Sequence, residues 1–232
     1  MKFGKWFGLV LLSVGFGLTA HAQLGVYVGY SATHFSGIQC LAPGTQLCSS
    51  QSSTDTSKTA SVNPSGVMLG AYYDLKTYGP VRLGVDARYM HDRSNKSASD
   101  IGGGLDATGA NTFLVGARGS IHVPLVWLKP YAEAAFGITS SDVTEPFCST
   151  TANPACAPGI PNPANSPRKF DNFFRYEGFL GADLKLAPML DLRLIELGIG
   201  NMNRSGSAGY ANSTSSVGLQ SIGAAVVFHL PK

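Results

Sequence analysis

Charge is what this chain lacks most. Of its 232 residues only 13% are Asp, Glu, Lys or Arg, about half the usual share of a soluble globular domain. A soluble protein needs charge on its outside, so this composition argues against a fully water-facing surface. Long apolar runs are missing as well. No stretch reaches the roughly 18 consecutive apolar residues that a membrane-crossing helix requires, which excludes a helical membrane protein. Lysine and arginine form no dense patch, and 17 basic residues stand against 14 acidic ones. Nothing in that balance points to nucleic acid. Cysteine is sparse, with four residues. Glycine, by contrast, is plentiful at 28 residues, and aromatics make up 10%.

The first residues set the compartment. Lys2 and Lys5 form a short basic start, and Trp6 to Leu18 are apolar or small apart from Ser13. Ala20-His21-Ala22 follows the small-x-small cleavage rule, so residues 1–22 read as a secretory signal peptide and Gln23 as the first mature residue. The alternative is an uncleaved N-terminal anchor, for which the run is short and rich in glycine. Lys2 and Lys5 leave with the signal and no acid does, so 17 − 2 = 15 basic residues then face 14 acidic ones. Residues 23–232 suit a single all-β domain.

Within that domain apolar residues recur with a period of two, which puts alternate side chains on opposite faces of a strand. Val81, Leu83, Val85, Ala87 and Tyr89 oppose Arg82, Gly84, Asp86, Arg88 and Met90. Phe113, Val115, Ala117 and Ile121 oppose Leu114, Gly116, Arg118, Ser120 and His122. The same reading finds strands around 24–31, 67–74, 129–138 and 173–184. A seventh begins with Leu190, Leu192 and Leu194, and its parity breaks at Ile195-Glu196-Leu197, the mark of a bulge. The last alternates through Ile222, Ala224, Val226, Phe228 and Leu230, with Val217 and Leu219 out of phase upstream. Eight strands suit a small closed antiparallel barrel filled by its own side chains.

Connection lengths alternate too. Short turns are expected at Lys76 to Pro80, Pro124 to Leu128 and Ala187 to Met189. Long polar segments are expected at Ser36 to Pro64, Arg93 to Ala110, Ser140 to Asn172 and Asn201 to Ser215. Short turns at one end and long loops at the other mark outer-membrane barrels, with the turns periplasmic and the loops extracellular. The cysteines fall in the first and third long segments as Cys40 and Cys48, and Cys148 and Cys156. An even count in an exported chain reads as disulfide-bonded. Three connectivities are open, and two local loops cost the least closure entropy. No histidine neighbours either pair, which disfavours zinc. With the N-terminus periplasmic, Tyr89, Phe113 and Phe174 lie at outer strand ends, Tyr73 and Phe228 at inner ends, and Trp127 in a turn. Two aromatic girdles at the bilayer interfaces result.

In these patterns the chain resembles the small outer-membrane β-barrel families, the OmpX-like proteins and the transmembrane half of OmpA. The resemblance spans residues 23–232 and rests on pattern rather than a diagnostic motif. It implies a monomeric barrel in lipid, placed there by the barrel-insertion machinery. One departure stands out. Such barrels usually end on an aromatic residue, whereas here Phe228 is followed by His229-Leu230-Pro231-Lys232. A tether to the cell wall through a peptidoglycan-binding domain is not expected.

The face opposite the lipid carries Arg82, Asp86, Arg88, Arg118, Lys129, Glu133, Arg175, Glu177, Asp183, Asp191 and Arg193. Isolated charges in a narrow lumen would be costly, and mixed signs allow a paired network. One function for such a network is a narrow ion or solute path. The other is a polar core that plugs the lumen, which the width of eight strands favours. Enzyme chemistry is not expected. Ser120 and His122 share a face two residues apart without a third orienting group. His91-Asp92 offers only an acid beside a base. Gly102-Gly103-Gly104 lacks the following helix of a phosphate loop, and Asp100 and Asp106 lack calcium-loop spacing. No cofactor is expected. The long loops could bind an extracellular ligand or shield the barrel. A soluble lipocalin-like binder is the remaining alternative, and it would need apolar faces inward and charges outward.

Overall fold

The computed structural model describes residues 24–39, 59–94, 109–121, 127–141, 170–205 and 216–230. These form β1 (Leu24–Gln39), β2 (Thr59–Val62), β3 (Pro64–Tyr78), β4 (Val81–Ser94), β5 (Gly109–Ile121), β6 (Leu128–Ser141), β7 (Asp171–Ala187), β8 (Leu190–Arg204) and β9 (Ser216–His229). Each strand pairs antiparallel with the next along one sheet, and β9 pairs back onto β1. The sheet is therefore closed. The short β2 is no separate stave. It continues the β1–β3 pairing outward, since Phe35 faces Val62 just beyond Ala32 and Ser65. Eight strands close the barrel, the architecture that the OmpX-like resemblance implies.

Register fixes its width. From Leu24 the hydrogen-bonded neighbours run through Tyr73, Val85, Ala117, Ala134, Gly178, Ile199 and Gln220. The circuit returns to β1 at His34, a shear of 34 − 24 = 10 residues. Eight strands with that shear tilt by about 40° and enclose a Cα cylinder of about 8 Å radius.

The alternation survives in three dimensions. Val26, Val28, Leu69, Val85, Val115, Ile138 and Leu180 are all exposed on the outside. Their sequence neighbours Tyr27, Met68, Asp86, Leu114, Thr139 and Phe179 are buried inside. The parity break in β8 is a bulge. Leu194 is one extra residue against both neighbours, so Leu194 and Ile195 both face out and Glu196 returns inward. In β9 the structure differs from the expected phase change. Val217 and Leu219 share the inward parity of Ala225 and Val227, so no register shift is needed. They are apolar because the inside of the barrel is apolar at that end.

Two turns are tighter than expected, holding Gly79–Pro80 and Pro188–Met189. Gly79 sits at φ +58°, which a two-residue hairpin asks of its first central residue and which costs glycine little. These turns, Leu24 and Leu230 lie at one end, the short-turn rim. At the opposite rim every strand runs further than the alternation suggested, to Gln39, Ser94, Ser141 and Arg204 and from Thr59, Gly109, Asp171 and Ser216. Outward positions there are polar, so the hydrophobic period fades before the ladder does. Gly37, at φ +79°, lies within the β1 bulge between Phe35 and Ile38.

Candidate functional site

Every acid and base expected in the lumen lies on an inward face. Nine of the eleven are nearly inaccessible, with Arg175 and Arg193 at 0% and Glu133, the most open of the nine, at 5%. Arg82 and Lys129 are half-buried at the short-turn rim.

The contents are layered. At the short-turn rim Arg82 pairs with Asp74 at 3.6 Å. Lys129 Nζ and His229 Nε2 both donate to Asp191 Oδ2, at 2.6 and 2.7 Å. Ser120 helps line a cavity of about 20 Å³ between these groups, room for about one water molecule.

The middle layer is a stack of flat side chains. Arg118 lies between Tyr72 and Tyr131, 3.9 and 4.0 Å from their ring centres. Arg193 lies between Tyr131 and Tyr27 at 4.7 and 4.3 Å. Arg88 approaches Tyr27 at 6.0 Å and covers Phe179 at 3.9 Å. Seven strands contribute one residue each, and β9 contributes the small buried residues Ala225 and Val227. Each ring faces a glycine across the sheet: Tyr72 opposite Gly25, Tyr27 opposite Gly70, Tyr131 opposite Gly181 and Phe179 opposite Gly198. A methyl group at any of the four would run into that ring.

Carboxylates bracket the stack. Asp183 accepts from Arg118 at 2.6 Å and from Arg193 at 3.0 Å. Glu196 accepts from Arg88 at 2.7 Å, Arg193 at 3.2 Å and the Tyr131 hydroxyl at 2.5 Å. Glu133 takes a second bond from Arg88, and Asp86 accepts from Tyr27 at 2.8 Å. Further along, Arg175 holds Glu177, to which Ser221 also donates. Asp92 accepts from Ser31 and Thr33.

Beyond these lies an apolar layer of Phe35, Val62, Ala110, Phe173, Met202, Val217 and Leu219. Arg204 and Asp171, paired at 2.9 Å, sit past it toward the far rim. Among the described residues an apolar layer at one level and buried, ion-paired side chains at the others occupy the lumen.

Sequence reasoning missed Glu196, Asp74, Asp92 and His229 as lumen groups. Parity alone would have placed Asp74, and counting resumed after the bulge would have placed Glu196. His91 and Asp92 stand on opposite faces of β4, so they do not act together. Among the described residues no group of His, Cys, Asp or Glu is arranged to hold a metal ion. Cys40, Cys48, Cys148, Cys156, His122, Asp100, Asp106, the Gly102 to Gly104 run and residues 1–22 lie outside the described residues.

Outside, Tyr89, Phe113, Ile138 and Phe174 form one continuous cross-strand row. Phe136 and Tyr176 extend it into a second row toward mid-strand, so the aromatics are less confined to strand ends than expected. Tyr73 and Phe228 face out nearer the short-turn rim, and Trp127 is 71% exposed there.

No family model and no curated protein matches this chain. Solved structures of similar outline do. Neisserial surface protein A has 14% identity and a TM-score of 0.45, over 88% of this chain and 96% of its own. OprG of Pseudomonas aeruginosa has 9% identity and a TM-score of 0.47, over 91% and 97%. Ail, the attachment invasion locus protein of Yersinia pestis, has 12% identity and a TM-score of 0.45, over 91% and 100%. The architecture of this chain rests on its own strand pairing.

Proposed function

We propose that this chain is a bacterial outer-membrane barrel with a plugged lumen, serving a structural or surface-interaction role rather than conduction. One observation carries the reading: mid-strand outward residues are apolar around the barrel, and the mid-strand charges are turned inward, most of them in ion pairs. Such an exterior is compatible only with apolar surroundings. A soluble ligand-binding barrel needs the inverse distribution. In this reading the short-turn rim is periplasmic. The opposite rim, where Gln39, Ser94, Ser141 and Arg204 end their strands, then faces the outside of the cell. Export through residues 1–22, delivery by the insertion machinery and a monomeric state belong to the same proposal.

Insertion is tested by fractionation and gel migration. The folded protein should extract from outer membranes with detergent and migrate faster unboiled than boiled. Recovery as a soluble periplasmic protein overturns the reading. Closure is tested in planar bilayers, where the purified barrel should carry no steady current. Stable unitary conductance would favour the small-pore function instead.

A further inference from the structure

β3 carries a bulge like that of β8, and it re-aims a lysine at the short-turn rim. Up to Asp74 the even-numbered side chains of this strand point inward, with Met68, Tyr72 and Asp74 buried. Unbroken alternation would send Lys76 into the lumen mouth. Leu75 is one extra residue against β4, so Asp74 faces Gly84 and Lys76 faces Leu83, an outward residue. Leu75 and Lys76 are therefore exposed in succession. Redirecting a side chain in this way is a recognised consequence of a bulge. Lys76 Nζ stands 4.8 Å from the centre of the Tyr78 ring, which is also exposed.

The outer face of this hairpin is apolar and carries no acid. Tyr73, Leu75, Leu83 and Val85 are exposed beside the lysine. The carboxylates of β3 and β4, which are Asp74, Asp86 and Asp92, are all buried. Toward mid-barrel the wall dips. Ala71 and Ala87 are cross-strand partners on the outward face, set between the bulkier pairs Leu69–Tyr89 and Tyr73–Val85. From Leu83, beside Lys76, to Ala87 is four residues, about 13 Å along the strand. A positive charge near the rim thus stands in line with a shallow apolar depression deeper in the wall.

We propose that the outer face of the β3–β4 hairpin seats one anionic phospholipid of the periplasmic leaflet. The phosphate pairs with the Lys76 ammonium, which the Tyr78 ring holds by a cation–π contact. One acyl chain runs past Tyr73 and Val85 into the dip at Ala71 and Ala87. This inference rests on the exterior facing lipid and on the short-turn rim being periplasmic. It goes beyond that reading by naming a lipid class and its seat.

The test is native mass spectrometry of the detergent-purified barrel. It is exchanged with equal amounts of phosphatidylglycerol and phosphatidylcholine bearing the same chains. Wild type should retain one phosphatidylglycerol in preference. Lys76→Gln should cut that preference about fivefold, the weight of one lysine at an anionic surface. Lys185→Gln is the control. Lys185 is exposed at the same rim but pairs with the inward Asp191, ahead of the β7 bulge, so its loss should leave the preference unchanged. Ala87→Phe, which fills the dip, should reduce retention of both lipids. Each variant must keep the heat-modifiable gel shift of the folded barrel. Unchanged preference in folded Lys76→Gln overturns the proposal, as does unchanged retention in folded Ala87→Phe. An equal loss in Lys185→Gln overturns it too, because attraction would then belong to the whole rim, and so does displacement of the lipid by inorganic phosphate alone. A protein that never enters membranes defeats the parent reading. A folded, inserted barrel without lipid preference defeats only this one.

Discussion

Glu196 shows how much a single side chain can carry inside a narrow barrel. Two arginines and a tyrosine hydroxyl converge on it, and with 3% exposure no water can replace it. Removing one partner of a buried ion pair leaves the other charged and unmatched, which costs about 3–5 kcal/mol. Glu196→Ala should therefore lower stability by about that amount in urea unfolding of the detergent-solubilised barrel. Glu196→Gln keeps one acceptor oxygen and should lose less. Equal stability of Glu196→Ala and wild type would mean that the arginines are satisfied elsewhere. The glycines opposite the stack make a second argument at this scale. Gly181 lies under the Tyr131 ring with no room for a methyl group. Gly181→Ala should cost about 1–3 kcal/mol through overpacking, whereas Gly119→Ala, near only the end of Leu83, should be nearly neutral in the same measurement. Apart from Glu196, which the bulge hid, the charged residues of this layer were readable from parity; the stack was not. Period two says which way a side chain points, and only register says that Arg118 falls between Tyr72 and Tyr131.

At the level of the strand, parity decides which side chains face outward, and β8 shows how it can be stored. Its extra residue, Leu194, puts two apolar side chains outward in succession before Glu196 turns back in. Deleting Leu194 joins Arg193 to Ile195 and preserves in-and-out order on both sides of the cut. Deleting Ile199 inverts every residue beyond it, sending Met202 out into lipid, because a one-residue slip exchanges the two faces. Refolding into detergent should therefore give a compact, heat-modifiable band for the Leu194 deletion and none for the Ile199 deletion. The reverse result would show that the bulge, not the parity, organises this strand. The break at Ile195-Glu196-Leu197 was visible in the sequence because two hydrophobic phases collide there. Val217 and Leu219 were harder to read. Inward apolar residues look like outward ones when the lumen changes from charged to apolar along its length, so composition suggested a slip where the pairing of β9 with β1 shows none.

For the whole molecule, shear and charge reinforce one another. A shear of ten around eight strands sets a radius of about 8 Å, too narrow for a wide aqueous channel once arginine and tyrosine side chains project inward. The lumen then requires neutralised charge, and the remaining surface is left apolar. The position of that surface in a bilayer can be measured, because the chain has two tryptophans. One, Trp6, lies in the segment read as the signal peptide, so the processed barrel reports through Trp127 alone. Trp127 is 71% exposed at the short-turn rim, and an indole prefers the headgroup level, where its ring meets hydrocarbon and its N–H meets water. In vesicles of brominated lipids, Trp127 fluorescence should be quenched most by bromines near the headgroup and least by those at the chain ends. The variant Trp6→Phe should give the same profile if the leader is removed. Strongest quenching by the deepest bromines would place the rim inside the hydrocarbon and shift the lipid-facing band toward the other rim. An absence of quenching at every depth would mean that this apolar exterior meets something other than lipid.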